Sequence, residues 1–398
     1  MLSFLNSLAF KKEPLQRQAN VVQGFGRLGW LLILLTPFVF LLGLGIGPVA
    51  IDAQQLLSLL SDLLSDALLS PFGLGDAAVH DAVLANQSLA SLHIIIMDIR
   101  LPRTLLAWLV GAGLAISGAA MQGLFRNPLA DPSIIGVTSG ASLGASIAVV
   151  VIASGVGVGH DIGIGGAEQW GGLSILVMGA FIGGLLAVLI VYRLSTASSD
   201  GITSNSTSVA TMLLVGIAIT ALAGAGNSLL AYIADNNTMR SISLWNMGGL
   251  DAANSLRVKL AGSIIIPAIF LLMCFSRQLD AMLLGESEAK HLGVDVQRVK
   301  WALIVIVAIA VASSVALAGV IGFVGLVVPH MLRMLIGPGH RRLLPYSALA
   351  GGLMLVLADI VARVVVSPAE MPVGVITAIL GAPLFIILLR QRRDYGMY

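Results

Sequence analysis

Long apolar runs separated by short polar breaks dominate this chain, and their spacing fits membrane-crossing helices. A span needs roughly 20 apolar residues. A sliding hydropathy window predicts helices near 28–49, 104–125, 134–153, 173–193, 209–233, 259–276, 301–318, 321–337, 343–362 and 372–389. Ten spans, an even number, leave both termini on one side. Lys11, Lys12, Arg17, Arg126, Arg193, Arg277, Lys290, Arg298, Lys300, the "HRR" of 340–342 and the "RQRR" of 390–393 fall in alternate loops, which the preference of basic residues for the inner face places in the cytoplasm. The expected layout is a cytoplasmic segment 1–27, a ten-helix membrane domain 28–390 and a cytoplasmic tail 391–398.

The opposite face receives the longer polar loops. Residues 50–98 form the largest; within it Leu56, Leu60, Leu63 and Leu64 share one helical side and Ser58, Asp62, Ser65 and Asp66 another, the pattern of an amphipathic helix over 51–70 lying on the membrane or the protein. The glycine-rich stretch 155–172 reads as a second external connection. Inside the spans, Gly136, Gly140 and Gly144 recur every four residues, as do Gly179 and Gly183. Such small-residue faces let helix backbones approach closely.

Composition confirms the class: 57% of residues are hydrophobic and 11% charged, against about 25% charged in soluble domains. The expected fold is an all-α polytopic membrane protein. A net charge of +2 is too small to point to nucleic acid. Cys274 stands alone, so no intrachain disulfide or cysteine metal cluster is expected. The histidines, His80, His93, His160, His291, His330 and His340, lack metal-ligand spacing and read as surface or interface residues with no metal site. At the N-terminus the charges follow a short apolar run and no A-x-A cleavage site appears, so the first span is expected to be retained.

Three polar features break the apolar pattern. "LLGESEAKHLGVDVQRVK" (283–300) encodes a compact helix with Glu286 and Glu288 in its first turn, Lys290 and His291 in its last and Gly293 as its stop; each charge faces the dipole end that attracts it, and Glu286 precedes Lys290 at i,i+4. Arg100 and Arg103 flank a proline in "RLPR", and Arg363 follows Asp359 by one turn in "LADIVAR". An Asp359–Arg363 ion pair and snorkelling would satisfy them locally, while three external guanidiniums together would form a cationic rim suited to partner carboxylates. "RNPLADP" (126–132) carries two prolines and predicts a rigid turn, either a plain connection or a constriction. No phosphate-binding loop occurs, nor a nucleophile elbow, H-E-x-x-H or triad with any supporting context, so this chain is not expected to hydrolyse ATP or to be an enzyme.

The runs "RLPRTLLAWLVGAGLAISGAAMQGLFRNPLADPSIIGVTSGASLGA" (100–145), "LLGESEAKHLGV", "AGVIGFVGLVVPHMLRMLIGPGHRRLLPYSALAGG" (318–352) and "LADIVARVVVSPAEMPVGVITAILGAPLFIILLR" (357–390) closely resemble the FecCD family. These are permease subunits of bacterial ABC importers for iron-siderophores, haem and cobalamin, resident in the inner membrane. The resemblance implies ten transmembrane helices in a cobalamin-permease-like fold, a homodimer, two separate ATPase subunits that bind ATP and Mg, and a periplasmic binding protein. It assigns ATPase coupling to Gly285, Glu286, Glu288, Ala289, Leu292 and Gly293 (helix 284–293), binding-protein docking to Arg100, Arg103 and Arg363, and a cytoplasmic gate to Asn127, Leu129, Thr207 and Ser208. "AGVIGFVGLVVPH" and "IGPGHRRLLP" are most like haem permeases, because cobalamin members often carry Pro in place of Val320. The expected cargo is haem, then a ferric siderophore, then cobalamin. An ion-gradient-driven transporter, which would need Asp359 as a relay, and a membrane scaffold are the readings from other classes.

Overall fold

The computed structural model describes residues 26–49, 51, 87–153, 175–197 and 209–394, with backbone only at 87–90, 209–210 and 388–394. Among these residues every regular element is helical. In chain order the helices are α1 (Arg27–Gly45), α2 (Gln87–Ile94), α3 (Leu101–Leu124), α4 (Val137–Ala153), α5 (Ile175–Ala197), α6 (Val209–Ile233), α7 (Asn236–Asn246), α8 (Ser255–Cys274), α9 (Ser276–Leu283), α10 (Glu286–His291), α11 (Val296–Ala318), α12 (Val324–Ile336), α13 (His340–Val364) and α14 (Val373–Asp394).

Ten of these are apolar and coincide with the ten predicted runs. Seven are long enough to cross a membrane by length and composition, and α4, α12 and the apolar part of α14 are shorter. Prolines lie inside α1, α8, α12, α13 and α14, which spanning helices tolerate because neighbouring groups can satisfy the freed carbonyls.

At the centre stands α3. Its sequence alternates small residues with Leu, Val and Ile, so it is buried on almost all sides, and α8, α11, α12 and α13 pack around it. Beside this group lies a second, formed by α4, α5 and α6, and α11 touches both. The predicted glycine faces meet there. A β-carbon placed at Gly144 would lie 2.1 Å from the carbonyl oxygen of Gly179, and one at Gly140 would lie 2.5 Å from that of Gly183, so only hydrogen fits between the backbones. Gly136 does something else: it takes φ +78 and closes the 3-10 turn Pro132–Ile135 ahead of α4.

Two elements depart from expectation. The stretch from 87 onward, read as part of an external loop, is helical, and a π-helical turn, Ile95–Arg100, links α2 to α3. A π turn adds a residue without breaking the helix. Short α7 follows α6, capped by the Asp235 carboxylate, which accepts from Asn237 N–H at 3.2 Å. Asn246 at its end joins Ser142 of α4, which in turn accepts from Asn227 of α6 at 2.8 Å, so a polar cluster tethers α7 to the second group.

Candidate functional site

α3 and α13 run antiparallel, so the start of one meets the end of the other. At one end of the bundle this brings Arg103 to Asp359, 256 residues away in sequence. Arg103 Nε donates to Asp359 Oδ1 at 2.9 Å, and its Nη1 donates to Glu370 Oε2 at 2.6 Å. Arg363 Nη2 forms an ion pair with Asp359 Oδ2 at 3.0 Å, as its spacing predicted, and Nη1 donates to the Gly43 carbonyl at 3.0 Å. Arg100 turns to the C-terminal end of α1. Its Nη1 donates to Leu44 O at 2.7 Å and Gly45 O at 2.8 Å, and its Nη2 to Val49 O. Carbonyls left open at a helix end attract a cation in this way.

An open cationic rim is therefore not what the chain builds. All three arginines are buried, because at this depth an unpaired guanidinium would be costly, and the chain's own carbonyls and carboxylates occupy them. Glu370, about a third exposed, is the outermost member. Its pairing with Arg103 had no local sequence signal.

At the opposite end lie α9 and α10. Gly285 takes φ +127 between them, and Gly293 takes φ +83 after α10, where Val294 N–H returns to Ala289 O at 3.0 Å and completes the predicted stop. The expected Glu286–Lys290 pair gives way to a longer-range one: Glu286 Oε1 meets Lys300 Nζ of α11 at 2.7 Å, which anchors α10 to the membrane bundle. Ala289 is wholly buried and Gly285 is buried too, so these two seat the helix and do not face outward. The outward face holds Glu288, Leu292 and Gly293, together with Leu284, whose 67% exposure marks an apolar contact the sequence reading left out.

Between α3 and the 3-10 turn, "RNPLADP" forms the expected tight turn. Arg126 takes φ +49, Asn127 Oδ1 accepts from Leu129 N–H at 3.0 Å, and Asp131 Oδ1 accepts from Ser133 N–H at 2.8 Å. Asn127 is exposed and Leu129 half-buried. Thr207 and Ser208 lie outside the described residues, as do the 51–70 helix and the 155–172 loop. Among the described residues no group of three or more His, Cys, Asp or Glu side chains comes together to hold a metal. His340, read as a surface or interface residue, is wholly buried beside Asp280.

The FecCD transport family matches residues 33–391. The hemin transport system permease protein HmuU of Yersinia pestis is 44% identical over 299 residues, 75% of this chain and 84% of that protein. The cobalamin import system permease protein BtuC of Halobacterium salinarum is 42% identical over 300 residues, 75% of this chain and 74% of that one. A solved structure described as an inward-facing conformation of a metal-chelate type ABC transporter covers 91% of this chain and 98% of its own, at 31% identity and a TM-score of 0.71. With a match that spans nearly all of the ten-helix bundle, the chain belongs to the FecCD transport family.

Proposed function

We propose that this chain is the permease subunit of an ATP-driven importer and that its cargo is haem. Family membership makes it a transport permease and not an enzyme. The choice of haem rests on one observation, the 44% identity to a hemin permease. A ferric siderophore and then cobalamin are the alternatives, the latter carried by the 42% identity to a cobalamin permease. Two copies would form the path in the bacterial inner membrane with both termini cytoplasmic. Two ATPase subunits would bind ATP and Mg beneath them, and a periplasmic binding protein would deliver cargo above.

In this reading Glu288, Leu292, Gly293 and the adjoining Leu284 meet the ATPase, while Gly285 and Ala289 shape the helix and Glu286 fixes it to Lys300. Asn127 and Leu129 form the rigid part of the inner gate, with Thr207 and Ser208 as a second part. Docking at the other end requires exchange: a binding-protein carboxylate takes Arg103 from Glu370, the exposed member of the cluster, while Arg363 holds Asp359. Arg100 is committed to α1 and acts by keeping that end in place. ATP binding favours one arrangement of the bundle and the loaded binding protein biases the same equilibrium by its differential contacts.

The test is uptake by proteoliposomes holding the permease, ATPase and binding protein, with haem, a ferric siderophore and cobalamin offered separately. Haem alone entering in an ATP-dependent manner supports the full reading. Entry of another chelate replaces the cargo and keeps the machine.

A further inference from the structure

We infer that His340 and Asp280 form the mechanical joint by which movement of α9 and α10 reaches the gate turn, an inference that rests on the importer reading above. The His340 ring is wholly buried at the start of α13. Its Nδ1 lies 2.8 Å from Asp280 Oδ1, and its backbone N–H donates to the same oxygen at 2.7 Å. One carboxylate of α9 thus holds both the first backbone donor of α13 and its ring. An acidic group at a helix N-terminus is favourable in its own right, and two bonds to one oxygen fix the ring's orientation as well.

The ring's far edge faces the end of α3. A β-carbon placed at Gly123 would lie 2.2 Å from His340 Nε2, so ring and α3 backbone touch with no room between. Three residues later α3 runs into Arg126, Asn127 and Leu129 of the gate turn. Arg126 also comes near, its Nη1 lying 3.9 Å from where a β-carbon on Gly285 would stand. The gate turn's first side chain therefore reaches the entrance of α10. Asp280, His340 and Gly123 come from three helices and meet at one point, between the surface assigned to the ATPase and the turn assigned to the gate. Packed contacts of this kind transmit displacement because they deform little. His340 and Asp280 are positioning residues: neither is placed against cargo or nucleotide.

The test uses the reconstituted complex with Asp280→Ala, Asp280→Asn, His340→Gln and the pair Asp280→Ala/His340→Gln, and reads ATP hydrolysed, cargo taken up and the melting temperature of the solubilised permease. The expected result is continued hydrolysis with uptake per ATP lowered about 5-fold or more in Asp280→Ala and His340→Gln, a typical coupling loss. The double variant should be no worse than either single one, and Asp280→Asn, which keeps an acceptor for the His340 N–H, should recover much of the yield. A purely structural role would lower melting temperature, hydrolysis and uptake together and leave their ratio unchanged. A second measurement does not depend on the variants folding. Spin labels at Arg277→Cys, exposed on α9, and Leu129→Cys in a Cys274→Ser background should keep one fixed separation through the ATP cycle if the joint is rigid, and a separation that changes with nucleotide overturns it. Unchanged uptake per ATP in every variant also overturns the joint, whereas absence of ATP-driven uptake by the unsubstituted complex overturns the importer reading itself.

Discussion

Two guanidinium groups share the carboxylate of Asp359, which is wholly buried. Replacing it with asparagine leaves Arg103 and Arg363 facing each other, and loss of one partner from a buried ion pair costs about 3–5 kcal/mol. Asp359→Asn is therefore expected to lower the thermal stability of the solubilised protein clearly, and an unchanged melting temperature would show that the cluster contributes little. At Glu370, which is partly exposed, the same exchange has another outcome. Glu370→Gln should tighten binding-protein docking by removing the charge that competes for Arg103 Nη1, measured as a lower dissociation constant for the complex. Asp235 supplies a pH dependence outside the spans. Hydrogen bonds, first from the Thr238 hydroxyl and then from the amides of Asn237 and Thr238, hold its pKa below the ordinary carboxylate value. A depressed pKa means the cap acts fully above the unfolded value and is lost as pH falls through the folded one. The protection of α7 amides relative to their intrinsic exchange rates should accordingly be greater at neutral pH and fall in acid, and Asp235→Ala should remove the difference. Of these contacts only Asp359–Arg363, one turn apart, was legible in the sequence. Arg103, Glu370 and the His340–Asp280 pair meet through the antiparallel packing of distant helices, which no local spacing encodes.

The helices themselves were largely legible, because a membrane imposes length and apolarity on each of them. The ten predicted runs are the ten apolar helices, with ends shifted by a few residues, because a hydropathy window follows the apolar run and passes over polar first turns such as those capped by Asn254 and Asp295. The glycine spacing of α4 and α5 also read correctly as close packing. Gly144→Leu should separate these helices and reduce the yield of folded protein, since its first carbon already falls 2.1 Å from a backbone oxygen; normal folding of that variant would show that the interface can open freely. What the pattern missed lies at the ends of helices. α2 and the π turn ahead of Arg100 were taken for loop because His93 and Asp98 interrupt the apolar run, and α7 because it is short and polar. α10 was found from its charges, but its anchoring partner was not: Lys300 looks like one more cytoplasmic lysine until α11 carries it back to Glu286 at 2.7 Å. The apolar pair Leu284 and Leu292, both exposed, gives this element its expected contact energy. Leu284→Ser/Leu292→Ser should abolish ATPase binding in a pull-down while leaving the melting temperature of the permease unaltered.

At the scale of the molecule the bundle is lopsided. α3 is buried nearly throughout, whereas α6 exposes most of its length, including Leu214, Ile217, Leu222, Leu229 and Tyr232. Apolar faces of this kind suit lipid or a second copy of the chain, and the proposed homodimer places part of them against its twin. The two ends of the bundle are joined by α3 and α13, each of which carries a member of the arginine cluster at one end and lies at the His340 contact at the other. Such a through-going pair lets events on opposite faces of the membrane bias one equilibrium. The gradient-driven alternative would need an unpaired carboxylate at Asp359, and its ion pairs with two guanidiniums favour the ATP-driven reading. The most direct test is haem accumulation by proteoliposomes containing the complete complex, with and without ATP, in the absence of any ion gradient. Accumulation that requires ATP and disappears with Leu284→Ser/Leu292→Ser is the predicted result; accumulation without an ATPase, driven by an imposed ion gradient, would contradict it.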